Sequence, residues 1–497
     1  MFRALPPADF GPTDTDSENA LKALGDAMVS TEDIPKDGPD AEESGIPAAY
    51  TYFGQFIDHD LTFDPASSLQ RQNDPDALVD FRTPRFDLDS VYGRGPDDQP
   101  YLYGDGRNFL LGDQLSGDAL GQALNAHDVP RSSAKATGQG AQARAIIGDP
   151  RNDENVIVSQ LQGLMLRLHN RLAAERDDLS FSQVQQEVRF HYQWAVLNDF
   201  LPTVVSHDVL KQVLPHLTDL EEPSDVHVDP PKLEFYNFKD SMFMPLEFSA
   251  AAYRFGHSMV RPGYRLNDAV GPFAIFPLAD RPDDPGLTGF DAFPRAWAID
   301  WGRFIDLDPP RPFGSDDPND ADNPKRLQLA YKIDTSLVNP LSHLPGRVAS
   351  DPPPSLASRN LLRGWRMRLP TGQDVALAMG VPVLEDDQIK IGKFTGDPAD
   401  KLRTVVEAGG DVFKGNCPLW TYVLAETEQV ETVETAGGDN ATRRLGPVGG
   451  RIVAETIVGI TAGDSSSYLN QNPLWQPRLA VNGRFGLRDL IAAALQG

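Results

Sequence analysis

The chain has 497 residues, 40% of them hydrophobic, enough for one large core or two to three ordinary domains. Its 45 Lys+Arg against 72 Asp+Glu give a formal charge of −27. That argues against nucleic acid, where affinity comes from basic residues on phosphates, and against anionic membranes.

From the N-terminus, Met1 to Pro7 lacks the apolar core of a signal peptide. No run approaches the roughly 18 apolar residues of a membrane helix. The expectation is a cytoplasmic protein, or one secreted without an N-terminal signal, with no membrane insertion and a monomeric state. The single cysteine, Cys417, allows no intrachain disulfide and no cysteine metal cluster.

The next segment, Gly54 to Phe63, sets Asp58, His59 and Asp60 side by side in an apolar run. On a helix these neighbours face three directions. A buried carboxylate needs a cation, donors or a covalent bond, so the segment implies a non-protein partner. Gln55 and His59, four apart, share one helix face. A histidine satisfied by a carboxylate explains the segment without function. Thr83, Asp87 and Asp89 then supply alternating oxygen ligands with a carbonyl between, which suits a hard cation such as calcium. A simple turn explains the same residues.

In Asp149 to Glu154, Asp149 or Asn152 could cap the following helix, or Arg151 and Glu154, three apart, could face one ligand together. Helical periodicity predicts helices over 154–177, 182–199, 248–260 and 449–460. The third holds Gly256 before His257, and a glycine there lets a flat group approach the backbone. A core histidine is the plainer reading. Pro/Asp/Gly-rich loops fall at 64–79, 218–232, 280–288, 308–324 and 350–355, with a polar stretch at 427–445. Period-2 alternation is scarce, so the fold should be mainly α.

Taken together, Gln55/Asp58-His59-Asp60, Arg151/Glu154 and Arg254/Gly256-His257, in this order, resemble the animal-type haem peroxidases of the peroxidase–cyclooxygenase superfamily. Leu166 to Ala173, Asn198 to Pro202, Arg359 to Arg363 and Gly449 to Glu455 match as well. The resemblance covers roughly 45–495. It implies a bacterial-like single-domain member: a mainly α catalytic domain over 45–497 with haem buried between central helices, behind an N-terminal extension, 1–44.

The resemblance implies roles residue by residue. His59 is the distal histidine, Gln55 its companion and Arg151 the distal arginine. His257 is the ligand of the haem iron, Asn360 accepts its other ring proton, and Arg254 lies near a propionate. Asp58 and Glu154 are the carboxylates that become ester-linked to haem. Asp60, Thr83, Arg85 (through its carbonyl), Asp87 and Asp89 hold calcium. Asn155 stands where some relatives have a methionine, so no sulfonium link is expected. The implied activity is reduction of hydrogen peroxide with oxidation of a small organic donor or halide, in a response to oxidative stress.

Two other readings stay open. A fatty-acid dioxygenase of this superfamily needs a tyrosine three residues before the proximal histidine. Arg254 occupies that position, and Tyr253 points elsewhere. The other reading is a non-catalytic haem- or calcium-binding scaffold. The remaining histidines, at 127, 169, 191, 207, 216, 227 and 343, read as structural or surface, with His169 the one to watch.

Overall fold

The computed structural model describes all residues except 31–33, 63–81, 118–123, 134–142, 221, 224–225, 227, 279–283, 394, 396–399, 430–432 and 436–437. The loop expected at 64–79 and His227 lie outside the described residues, as do parts of the segments expected at 218–232, 280–288 and 427–445. Helices dominate what is described, and the sheets are short two-stranded pairs.

Helix α1 (Asp14–Ala27) is capped by the Thr13 side chain, which accepts from Asp16 N. Leu21 and Leu24 are buried, and Phe2 and Phe10 join the same core. The segment expected as an extension is thus packed against the domain. Strand β1 (Glu43–Pro47) leads into α2 (Ala49–Leu61), which buries Tyr52, Phe53, Phe56 and Ile57. Thr62 ends α2 in an extended conformation, its Oγ1 donating to Asp58 O at 3.0 Å.

Helix α3 (Val156–Glu175) starts later than its periodicity suggested, because Asn155 is the cap, accepting from Ile157 N and Val158 N. Losing that cap costs about 1 kcal/mol. Residues 150–153 form a separate 3₁₀ turn, capped by Asp149. Helix α3 is buried on almost every side and is the central helix. Both α2 and the C-terminal α8 (Leu487–Leu495) pack against it.

Helix α4 (Phe181–Ala195) opens with a Ser180/Gln183 capping box. It continues through a wide π turn, Val196–Phe200, into Leu201–Val204. The expected helix at 248–260 is broken instead. A short turn, Leu246–Ser249, is followed by a 3₁₀ segment, Ala252–His257. In a 3₁₀ helix residues three apart eclipse. Arg254 and His257 therefore share one edge.

Strand β2 (Leu329–Tyr331) pairs antiparallel with β1. Helix α5 (Leu356–Arg366), capped by Ser355, packs on α1 and on α6 (Leu419–Ala425). The polar stretch at 427–445 contains an antiparallel hairpin, β3 (Val433–Thr435) with β4 (Gly438–Thr442), where only a loop was expected. Helix α7 (Pro447–Gly463) is longer than predicted at both ends. One continuous apolar core runs from Phe2 to Ala494.

Candidate active site

A cavity of about 310 Å³ opens between α2, the 150–153 turn and the 252–257 segment. Gln55, Asp58, His59, Arg151, Glu154, Arg254 and His257 all line it. Segments some two hundred residues apart therefore meet at one cavity.

His59 is buried, with its Nδ1 2.7 Å from Asn152 Oδ1. Asn152 Nδ2 donates to Gln162 Oε1 at 2.9 Å, which fixes which end of the Asn152 amide faces the imidazole. His59 Nδ1 must then carry the ring proton, leaving Nε2 with its lone pair. Burial, with the nearby Arg151 charge, pushes the His59 pKa down to about 4. The ring is a neutral base at ordinary pH.

Arg151 shares the cavity and is held from behind. Its Nη2 donates to Asp149 Oδ2 at 2.8 Å and to His59 O at 2.9 Å. Burial opposes ionisation of Asp149, but Arg151, His59 and Arg82 outweigh it and hold that carboxyl at about 2. Gln55 Oε1 accepts from Asn155 Nδ2 at 3.1 Å, which ties it to the cap of α3.

Across the sequence, His257 Nδ1 lies 2.8 Å from Asn360 Nδ2 on α5. Contact with Asn360 was expected, but with the amide reversed. Arg254 Nη1 donates to Asn360 Oδ1 at 3.1 Å, so the amide nitrogen is left toward the imidazole. Burial, then the Arg254 charge, push the His257 pKa down to about 3, giving a neutral ring able to ligate a metal.

The two expected tethers are both at the cavity wall. Burial raises the Glu154 pKa to about 7 despite Arg151, with Asp58 adding to the rise. Thr62 Oγ1 donates to Asp58 Oδ1 at 3.2 Å.

Carboxylate oxygens of Asp60, Asp87 and Asp89 lie within 4.8 Å of one another. Burial and the two neighbouring acids push the Asp60 pKa well up, a conflict that a divalent cation would relieve. Asp60 also accepts from Leu88 N at 3.3 Å and Ser90 Oγ at 3.2 Å. Thr83 is exposed, and its carbonyl accepts from Arg85 N at 2.7 Å. Arg85 Nε lies 3.7 Å from Asp464. The three carboxylates are thus assembled.

Sequence reasoning missed Asn152, Gln162, Arg82 and the dual duty of Asp149. Arg82 bridges Asp89 and Asp149. Asn152 and Asp149 stood in a motif already singled out, but both were read only as caps. Nothing in the sequence marked Gln162, one residue in an apolar helix. His169 is a core histidine, 3.0 Å from Tyr92 Oη and 2.9 Å from Arg107 O.

The cavity suits a flat apolar macrocycle with two acidic arms. Phe255, Met259, Ile275 and Phe276 supply apolar wall, and Arg254 and Arg359 supply cations. A Cβ added at Gly256 would meet nothing within 4 Å, so the backbone before His257 borders open space.

A mainly helical fold thus brings two neutral histidines, an arginine and two carboxyls to one cavity. Residues 68–281 match the animal haem peroxidase family. The chain is 29% identical over 297 residues to human thyroid peroxidase, covering 56% of this chain and 27% of that protein. To the chorion peroxidase of Drosophila melanogaster it is 24% identical over 289 residues, covering 56% and 30%. The chain therefore spans under a third of the length of these relatives. The fold resembles peroxidase A from Dictyostelium discoideum, with a TM-score of 0.61 at 16% identity over 99% of this chain and 92% of that one. It also resembles the fatty acid alpha-dioxygenase of Oryza sativa, with a TM-score of 0.52 at 12% identity over 98% and 77%. No helix among the described residues is long and apolar enough to cross a membrane.

Proposed function

We propose that the protein is a haem-dependent peroxidase that reduces hydrogen peroxide while oxidising a small organic donor or halide. The observation that carries this is the His59–Asn152–Gln162 chain, which holds a neutral imidazole at the cavity wall with its proton on Nδ1. Bound haem supplies the iron that takes two oxidising equivalents from peroxide. His59 Nε2 accepts the proton of the incoming peroxide and returns it to the departing oxygen, which leaves as water. Arg151 stabilises the negative charge that develops as the O–O bond breaks, and Asp149 keeps it from drifting.

On the other wall, His257 would hold the iron through its free ring nitrogen, with the ring proton on Nδ1. Asn360 must then present Oδ1. Arg254 would meet an acidic arm of the macrocycle, and an Asn360 amide relieved of Arg254 would present Oδ1 to the His257 ring proton. Asp58 and Glu154, both at the cavity wall, would be the carboxylates that form esters with the macrocycle. The Asp60, Asp87 and Asp89 cluster holds calcium against the last turn of α2.

The test is stopped-flow spectroscopy of the haem-loaded protein. The parent should show a Soret band that changes within milliseconds of adding peroxide, and His59→Ala should slow that change by at least a hundredfold. An equal rate in the variant would remove His59 from the reaction. The likeness to a fatty acid dioxygenase supports a second reading, but Arg254 stands where the radical tyrosine would be needed. Tyr253 Oη donates to Gly54 O at 3.2 Å. Oxygen uptake with palmitic acid should be absent.

A further inference from the structure

A second, larger cavity of about 1090 Å³ lies beside the first. Tyr50, near the start of α2, lines both cavities. It sits about 13 Å along the helix from His59, at 1.5 Å per residue. The outer cavity is also lined by Trp194, Asn198, Asp199, Tyr468 and Phe485.

The wall between the cavities is built around a hydrogen-bonded phenol and carboxylate. Tyr50 Oη is 2.9 Å from both oxygens of Asp199. Asp199 sits in the π turn that interrupts the helix after α4, an irregularity that redirects side chains and is frequent at functional sites. Its Oδ2 also accepts from Leu487 N at 2.7 Å, at the start of α8. A Cβ at Gly486 would fall 2.6 Å from the carboxyl, so a glycine is needed for this approach. Capping α8 accounts for one oxygen of Asp199. It does not account for a tyrosine that reaches both cavities.

The aromatic wall continues outward. Trp194 and Tyr468 have ring centroids 5.6 Å apart, and Trp475 lies 6.1 Å and 6.0 Å from them. Asn198 Nδ2 donates to Tyr468 Oη at 3.4 Å. Such a wall binds flat aromatic molecules by offset or edge contacts. A carboxylate floor and a net charge of −27 disfavour anionic donors.

We propose that the outer cavity binds a small neutral phenol as electron donor, and that Tyr50 relays its electrons to the haem cavity. This rests on the peroxidase reading. Peroxide leaves two oxidising equivalents at the centre. Tyr50 passes one electron inward and its phenolic proton to Asp199, becoming a neutral tyrosyl radical. A phenol in the outer cavity then gives one electron to Tyr50. Asp199 returns the proton, and the donor's own proton leaves into the cavity water. The products are a phenoxyl radical and intact Tyr50, and a second passage returns the centre to rest. Burial raises the Asp199 pKa to about 6, which leaves it mostly ionised and able to accept at pH 7.

The test uses the haem-loaded full chain with 4-methylphenol and, separately, iodide as donors. Gln476→Trp places bulk in the outer cavity from an exposed position. It should lower kcat/KM for 4-methylphenol at least fivefold and leave iodide oxidation within twofold. Tyr50→Phe should still bind 4-methylphenol, read by quenching of tryptophan fluorescence. It should lose both the tyrosyl signal in freeze-quench electron paramagnetic resonance after peroxide and at least 90% of 4-methylphenol turnover. Parental 4-methylphenol turnover in Tyr50→Phe, or equal loss of both donors in Gln476→Trp, overturns the relay. A parent that oxidises neither donor overturns the peroxidase reading itself, and the relay with it.

Discussion

Asn152 Oδ1 accepts from His59 Nδ1 across 2.7 Å, linking the 150–153 turn to the last turn of α2. The bond does more than fill a buried acceptor. It decides which imidazole nitrogen is the base, and Gln162 decides that Asn152 presents oxygen.

The first prediction follows from that pair. The proton-accepting form of His59 is present above about pH 4 and lost below it. Peroxide reactivity of the parent should therefore rise through about pH 4 and stay level to neutrality. Asn152→Asp puts a carboxylate against Nδ1 and favours the imidazolium, so the rising limb should move up by at least about one pH unit. Asn152→Leu should slow the peroxide step about tenfold or more at pH 7, because the tautomer is no longer fixed. Stopped-flow rates between pH 3.5 and 8 check both. An unmoved limb in Asn152→Asp would show that another group sets the profile.

The second concerns the two carboxyls. Glu154 is held half-protonated near neutrality by burial, and Asp58 lies close enough to raise it further. We expect haem to resist extraction by acidified organic solvent after peroxide turnover in the parent. Asp58→Asn and Glu154→Gln should each leave one attachment, and the double variant should release all haem. Mass spectrometry of haem peptides distinguishes these states.

The third uses terbium as a probe of the Asp60, Asp87 and Asp89 cluster. Tyr192 feels the charges of Asp60 and Asp87 and is a ready sensitiser of terbium emission. Calcium should displace the emission, and Asp60→Asn should weaken it at least tenfold. Chelator should lower Tm of the parent by several degrees and that of Asp60→Asn by less, since a bound cation stabilises only the folded state. Emission unchanged in Asp60→Asn would place the cation elsewhere.

Much of the site was legible because it consists of residues whose chemistry is costly to bury. Asp58, His59 and Asp60 in an apolar helix announce a demand that only partners can meet, and their spacing on α2 is local. The helical fold class was legible for the same local reason. What was not legible depends on distant contacts. The 248–260 helix breaks into a 3₁₀ segment, which puts Arg254 and His257 on one edge, and no periodicity signals that change. The reversed Asn360 amide is set by Arg254, through a hydrogen bond between residues 106 apart in sequence. Gln162 looks like one more residue of a buried helix until Asn152 is placed beside it.

The fourth prediction concerns Arg82, which bridges Asp89 of the acidic cluster and Asp149 behind Arg151. It competes with a cation for Asp89 and at the same time anchors the carboxylate that aligns Arg151. Arg82→Gln should therefore act in opposite directions at the two sites. Removing a positive charge beside three acids should tighten terbium binding severalfold, as like-charge repulsion is relieved. Losing the Arg82 contact to Asp149 should slow the peroxide step several-fold, because Arg151 no longer meets the developing charge from a fixed position. Arg82→Lys keeps the charge but cannot span both carboxylates in a planar fork. It should leave terbium affinity near the parental value and still show the slow peroxide step. If both substitutions changed both readouts together, Arg82 would be holding the fold of the loop and not coupling the two sites.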